Sequence, residues 1–207
     1  MPLVKQSVVE FLSAIRSPSP TPGGGSAAAL AGAMGASLVA MVAALPTSRA
    51  ATEEDQQRLR SAGDRSAALA IECERLVDVD SAAYELVMAA YKRPKATEGD
   101  RAARSLAIQA AFREAIAAPL AVLRAAASAA EQAVVVASLG NPSAASDLQV
   151  GLELLDAALR GAKLNVEINL ESVKDPAYAE TVRNEVTEFE RAIGHESASA
   201  RARLTRD

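Results

Sequence analysis

Large apolar residues recur every three or four positions through most of this 207-residue chain, the spacing of helices that bury one face. Val4, Val8, Phe11, Leu12 and Ile15 predict a short first helix over about Val4–Ile15, broken by Pro18, Pro20, Pro22 and the glycines 23–25. Ser26 then opens a helix that is apolar all round and stops at Pro46. Thr52 followed by Asp55 predicts a cap for the third helix, whose stripe is the clearest in the chain. Leu59, Ala62, Ser66, Leu69, Cys73, Leu76, Asp80, Tyr84, Val87 and Tyr91 fall within one narrow band at 100° per residue. Asp80 therefore belongs near the middle of the buried face, whereas Asp78 points away, roughly 140° round the helix. A fourth helix runs from the Thr97–Asp100 cap to Leu139, with Leu106, Ile108, Phe112, Ile116, Leu120 and Leu123 inward and Pro119 expected to kink it. Gly140-Asn141-Pro142 is a turn, and a fifth helix follows from Ser143 to about Val173. Beside its Leu148, Leu152, Leu155, Leu159 stripe lies a flank of Asp147, Gly151, Ala158, Asn165 and Asn169. The last helix starts at Pro176 and carries Val182, Val186, Phe189 and Ile193 on one face.

These elements predict an all-α fold: a single-domain antiparallel bundle of about six helices over residues 1–194, with 195–207 as a polar, frayed C-terminal tail. Composition agrees, since Ala makes up roughly a quarter of the chain against a modest share in average proteins, and Ala is the best helix former. Ser26–Leu45 is long and apolar enough to cross a bilayer, but no second such stretch is evident and no cleavable signal opens the chain. A central bundle helix in a cytoplasmic protein, without membrane contact, is the expected reading.

The remaining composition narrows the chemistry. A net charge of −4 and the absence of Trp argue against nucleic acid as partner, because phosphate neutralisation requires a basic surface. One Cys (Cys73) and one His (His195) leave no material for a multi-thiolate or His-rich metal site, so no metal is expected. An enzyme of this composition works with carboxylates, amides, Lys or Arg. Asp80 is the sharpest candidate: a carboxyl in an apolar stripe needs a partner or a raised pKa, and both a catalytic acid–base group and a structural ion pair with Arg satisfy that requirement. Gly23, Gly24, Gly25 and Ser26 form either a ligand-approaching helix N-terminus or a flexible turn with a Ser cap. Asn165 and Asn169, one turn apart, suit a polar heterocycle or helix-to-helix amide bonding equally well. Lys95 and Arg104 flank the start of the fourth helix, as ligand-binding cations or as ordinary surface charge.

Five segments in register resemble the formiminotetrahydrofolate cyclodeaminase and methenyltetrahydrofolate cyclohydrolase family. They are Thr21-Pro-Gly-Gly-Gly-Ser26, Val77-Asp-Val-Asp-Ser-Ala-Ala-Tyr84, Pro94-Lys95 with Thr97, Gly140-Asn141 followed by Ser146-Asp147-Leu-Gln-Val150, and Gly161-Ala-Lys-Leu-Asn165-Val-Glu-Ile-Asn169-Leu170. The resemblance implies a homodimeric helical bundle that binds a tetrahydrofolate derivative as substrate with no permanently bound cofactor. It implies Asp80 as the catalytic proton shuttle, with the glycine turn, Lys95, Arg104, Asp147, Asn165 and Asn169 as substrate-binding residues. Two reactions fit. A cyclodeaminase converts 5-formiminotetrahydrofolate to 5,10-methenyltetrahydrofolate plus ammonia, served by a separate formiminotransferase. That reaction is the first expectation; as the alternative, a cyclohydrolase opens the methenyl ring with water to 10-formyltetrahydrofolate. A divergent paralogue acting on another formimino or amidine compound, or a non-catalytic dimeric bundle, stays open beside them. Leu45-Pro-Thr-Ser-Arg-Ala-Ala-Thr52 departs from the family by keeping only Arg49 of a basic cluster, which points to altered binding of the folate tail.

Overall fold

The computed structural model describes residues 2–204 and contains, among them, six α-helices, two 3-10 turns and no strand. The helices are α1 (Val8–Arg16), α2 (Gly24–Ala44), α3 (Glu53–Tyr91), α4 (Glu98–Leu139), α5 (Ala145–Leu170) and α6 (Pro176–Leu204). Their starts follow local chemistry. Thr52 caps α3 by accepting from the Asp55 N–H, and Thr97 and Asp100 cap α4 reciprocally. The first helix starts later than its apolar spacing predicts, because Ser7 and Glu10 form a capping box and Leu3–Lys5 is a separate 3-10 turn. Phe11 of α1 is buried, and Val4 and Ile15 pack against the core, but Val8 and Leu12 stay exposed, so only part of the expected apolar face meets the core.

The architecture is a bundle in which α2 packs against α3, α4 and α5, α4 also packs against α3 and α5, and α6 lies on α4 and α5. Small residues set the closeness of the central pair. A Cβ on Gly35 would meet the Gly151 carbonyl and the Leu155 side chain at 2.9 Å, so α2 and α5 touch backbone to backbone there. Gly151, read from the sequence only as part of a small flank, is half of that crossing. Leu148, Leu152, Leu155, Ala158, Ala162 and Val166 of α5 fill the core as their spacing requires. Leu106 does not: it is 73% exposed, because the first turns of α4 run beyond the main core. Two helices, α2 and α4, are long and apolar enough to cross a membrane, so α2 is not alone in this respect. In the bundle, 50% and 56% of their respective apolar windows are buried against other helices.

Two further expectations change. The segment after Gly194 is not a frayed tail: α6 continues to Leu204, with Ser197 and Ala200 buried. Arg201 holds it to α5 by bonding Glu153 and Asp156 at 2.9 Å each, and Ser197 Oγ donates to Asp156 at 3.1 Å. Polar residues here face a polar partner strip rather than water. Residues 205–207 of the expected tail lie outside the described residues. Asp78, in turn, is not left to solvent but accepts the Leu3 N–H, pinning the N-terminal segment to α3.

Candidate active site

The buried stripe of α3 does not stay buried along its length. From Leu59 to Leu76 it is core, and from Asp80 onward it becomes one wall of a pocket, with Tyr84, Val87 and Tyr91 below. The glycine turn, Phe112 and Ala115 of α4, and Asn165, Ile168 and Asn169 of α5 supply the other walls of this 390 Å³ cavity. Asp80 is thus half-buried at a cleft rather than sealed in the core.

Asp80 meets the N-terminus of α2. Gly23 is the N-cap residue and has no side chain with which to cap, so Ser26 sits inside the first turn instead of opening the helix. Ser26 Oγ lies 2.9 Å from Asp80 Oδ2 and 3.0 Å from the Val77 carbonyl, and the Ser26 backbone N–H also reaches the Asp80 carboxyl. The carboxyl therefore does the capping that Gly23 cannot, against unpaired helix N–H groups that favour an anion. Space for this comes from Gly25: any Cβ there would coincide with the Asp80 carboxyl. Burial pushes the Asp80 pKa above the ordinary aspartate value of 3.8, and the Ser26 contacts offset part of that rise. The single Ser26 proton can go to Asp80 when the carboxyl is ionised and to Val77 when it is not, so both protonation states are accommodated.

No Arg or Lys pairs with Asp80 among the described residues, which removes the structural ion pair as an account of this carboxyl. Cys73, by contrast, is simply buried, its thiol pushed up to about 12 by desolvation. His195 is exposed beside Glu196.

The two amides are brought into the pocket; Asn165 is bonded within its own helix, and Asn169 also reaches across to α4. Asn165 Nδ2 donates to the Gly161 carbonyl at 2.8 Å, and Asn169 Nδ2 donates to the Asn165 and Ala115 carbonyls at 2.8 and 3.1 Å. Lys95 and Arg104 do not line the Asp80 pocket. They lie in an adjoining groove with Arg101, Ser105, Gln109 and Lys174, and the two cavities share Tyr91. Arg104 donates to the Tyr91 carbonyl from Nε and Nη2 and stacks over its ring at 5.5 Å, so it also fixes the wall between the cavities. No acidic side chain lines this groove.

Asp147 does not join the Asp80 pocket within the chain. It is exposed in the first turn of α5, about 27 Å of helix away from Asn165, at the opposite end of the bundle. With seventeen residues of continuous helix between them, the two cannot line one pocket within a single chain. The Leu45–Thr52 segment is at that far end too: Thr47 Oγ1 bonds the Leu139 and Gly140 carbonyls and Arg49 reaches the Ala137 carbonyl. Its departure from the family pattern therefore does not touch this pocket. The sequence places Phe112 only in the core, whereas its ring stands edge-on to Tyr91 in the pocket wall with centroids 6.2 Å apart, and Lys174, Arg101 and Gln109 carry no local signal. Only the folded chain brings residues 91–109 beside 172–174.

A protein-family model described as formiminotransferase-cyclodeaminase matches residues 7–188. The chain is 38% identical over 175 residues to a methenyltetrahydrofolate cyclohydrolase of Methylorubrum extorquens, covering 84% of both chains. It is 35% identical over 185 residues to formimidoyltransferase-cyclodeaminase of Sus scrofa, covering 89% of this chain but 34% of that longer protein. A crystal structure of formiminotetrahydrofolate cyclodeaminase from Thermotoga maritima shares the fold with a TM-score of 0.85 at 28% identity, over 97% of this chain and 96% of that one. The half-buried carboxyl at a glycine-lined helix N-terminus, the paired amides and these likenesses agree, and the chain belongs to the formiminotransferase-cyclodeaminase family.

Proposed function

We propose that this protein acts on the one-carbon bridge between N5 and N10 of a tetrahydrofolate, with Asp80 as the proton shuttle. The observation that carries the reading is a half-buried carboxyl with raised pKa and no cationic partner, facing a cavity lined by backbone N–H groups and side-chain amides. The cyclohydrolase reaction comes first, because the M. extorquens relative is 38% identical over most of both chains, against 28% for the T. maritima cyclodeaminase. In that reaction water adds to the methenyl carbon while the Asp80 carboxylate takes one of its protons. The C–N5 bond then breaks, Asp80 returns the proton to N5, and the carbinol proton leaves to give 10-formyltetrahydrofolate. The net release is one proton per water consumed.

Cyclodeaminase chemistry is the second reading, favoured by the T. maritima structure's name. N10 attacks the protonated formimino carbon, Asp80 carries the N10 proton to the departing nitrogen, and ammonia leaves the methenyl cation behind. In both reactions ionised Asp80 also stabilises the cationic carbon. Neither calls for a bound cofactor. The basic groove beyond Tyr91 would take the folate glutamate carboxylate, with Lys95 and Arg104 as its cations.

The deciding experiment follows loss of 5,10-methenyltetrahydrofolate above its spontaneous hydrolysis, and in parallel ammonia release from 5-formiminotetrahydrofolate. Turnover is expected in the first assay. Activity in the second alone would reverse the order of the two readings, and silence in both from folded protein would defeat the folate reading.

A homodimer forms part of the same proposal. Leu30, Met34, Leu38 and Met41 of α2 form an apolar strip that continues into Leu154 of α5 and is bordered by Glu74 of α3, with Met34 and Met41 about 40% exposed. A second copy of the chain is the fitting occupant, since the α2 strip itself carries no charge and can pack on its own copy across a two-fold axis. Met34→Glu is expected to convert a dimer to a monomer in light scattering; an unchanged mass would place the interface elsewhere.

A further inference from the structure

Pro119 stands in the middle of α4 and has no N–H, so the Ala115 carbonyl four residues earlier lacks its usual helical donor. Asn169 Nδ2 fills that place from α5, while its second hydrogen goes to the Asn165 carbonyl. These two carbonyls fix which way the amide points. Rotated by half a turn, Oδ1 would face two acceptors instead. Asn169 Oδ1 accepts from none of the described residues, is not sealed from solvent, and belongs to the wall of the Asp80 pocket.

We propose that Pro119 is a positioning residue: by freeing the Ala115 carbonyl it commits both N–H groups of Asn169 and leaves that side chain an acceptor only. The α5 wall of the pocket at Asn169 then selects a ligand edge that presents N–H donors. Resting on the folate reading, the pterin edge with its exocyclic amine and adjacent ring N–H is such an edge, whereas a carbonyl placed there would face oxygen against oxygen. The donors of the pocket come from elsewhere, from the α2 N-terminus and from the second Nδ2 hydrogen of Asn165.

Pro119→Ala restores the missing N–H and supplies the Ala115 carbonyl from within its own helix. The variant is expected to fold with an equal or higher Tm. One side-chain amide proton of Asn169 should exchange at least about tenfold faster by NMR, and KM should rise about tenfold with kcat within about twofold, the loss of one neutral hydrogen bond. Asn169→Ala should show a similar KM, and the double variant should be no worse than Asn169→Ala alone. Unchanged exchange and KM in Pro119→Ala, or KM effects that multiply, would overturn the proposal. Should Pro119→Ala fail to fold, Asn169→Asp places an oxygen against the two carbonyls with Pro119 intact, and a wild-type KM there would equally defeat it. The exchange measurement needs no substrate, so it stands even if both folate assays are silent.

Discussion

Asp80→Asn is expected to cut turnover by about 10²–10⁴-fold, the usual worth of a positioned proton carrier, while making the fold more stable at neutral pH. The two effects share one cause. Burial raises the Asp80 pKa above 3.8, so with rising pH the unfolded chain releases this proton before the folded one does. Stability falls between 3.8 and the raised folded value, and the loss persists at neutral pH, where the ionised carboxylate is held in a half-buried place. Asn carries no charge to desolvate and can still accept from Ser26. Thermal unfolding of the two proteins from pH 4 to 8 should therefore diverge as pH rises, with the variant above. The pH profile gives a second check. Since the base form is needed first, kcat/KM of the wild type should climb as Asp80 ionises, at higher pH than an exposed aspartate would allow. A variant with wild-type turnover, or a wild type that gains stability through this window, would remove Asp80 from its assigned role.

Gly25→Ala should be nearly as damaging to activity, by a different route. Most helix glycines gain from a Cβ, which trims the freedom of the unfolded chain; Gly194, with nothing within 4 Å of its Cβ position, should gain about 0.5–1 kcal/mol on changing to Ala. At Gly25 the methyl would occupy the place of the Asp80 carboxyl, so either the carboxyl or the first turn of α2 must move. The expected result is a loss of about 1–3 kcal/mol from overpacking and about a 10²-fold fall in turnover from misplacing the carboxyl by about 1 Å. Denaturation midpoints beside steady-state rates would show it. Equal rates for Gly25→Ala and wild type would mean that the carboxyl has another productive position. Ser26 is the natural companion to this pair, because its hydroxyl follows the charge state that the other two changes disturb.

The far-end placement of Asp147 and of the Leu45–Thr52 segment bears on how the family pattern is interpreted. Both lie where the α2–α3 connection meets the α4–α5 turn, and Asn141 Nδ2 ties them together by donating to the Pro46 carbonyl at 2.7 Å. Residues that share a motif set with the Asp80 pocket therefore serve a different place in the single chain. Within one chain they lie away from that pocket, and only a neighbouring copy would bring a second pocket to them. In the homodimer proposed above, the apolar strip of α2 runs along the same helix that joins the two ends.

By itself, the sequence determined the helical class, the helix order and most of the boundaries, because the 3.6-residue spacing and the Thr52 and Thr97 caps are local properties. It also singled out Asp80, since helical phase alone shows which of two neighbouring aspartates lies on the apolar stripe. Phase could not show that the stripe leaves the core at Asp80, because that depends on where α2 begins and α5 ends. Nor could it separate Asp147 from Asn165, which share a flank but stand at opposite ends of one helix. The bond from Asn169 to the carbonyl freed by Pro119 joins residues 54 apart, and the groove around Tyr91 draws on three segments of chain. Those arrangements were decided by tertiary structure alone, because periodicity fixes direction around a helix axis and carries no information about position along a neighbouring one.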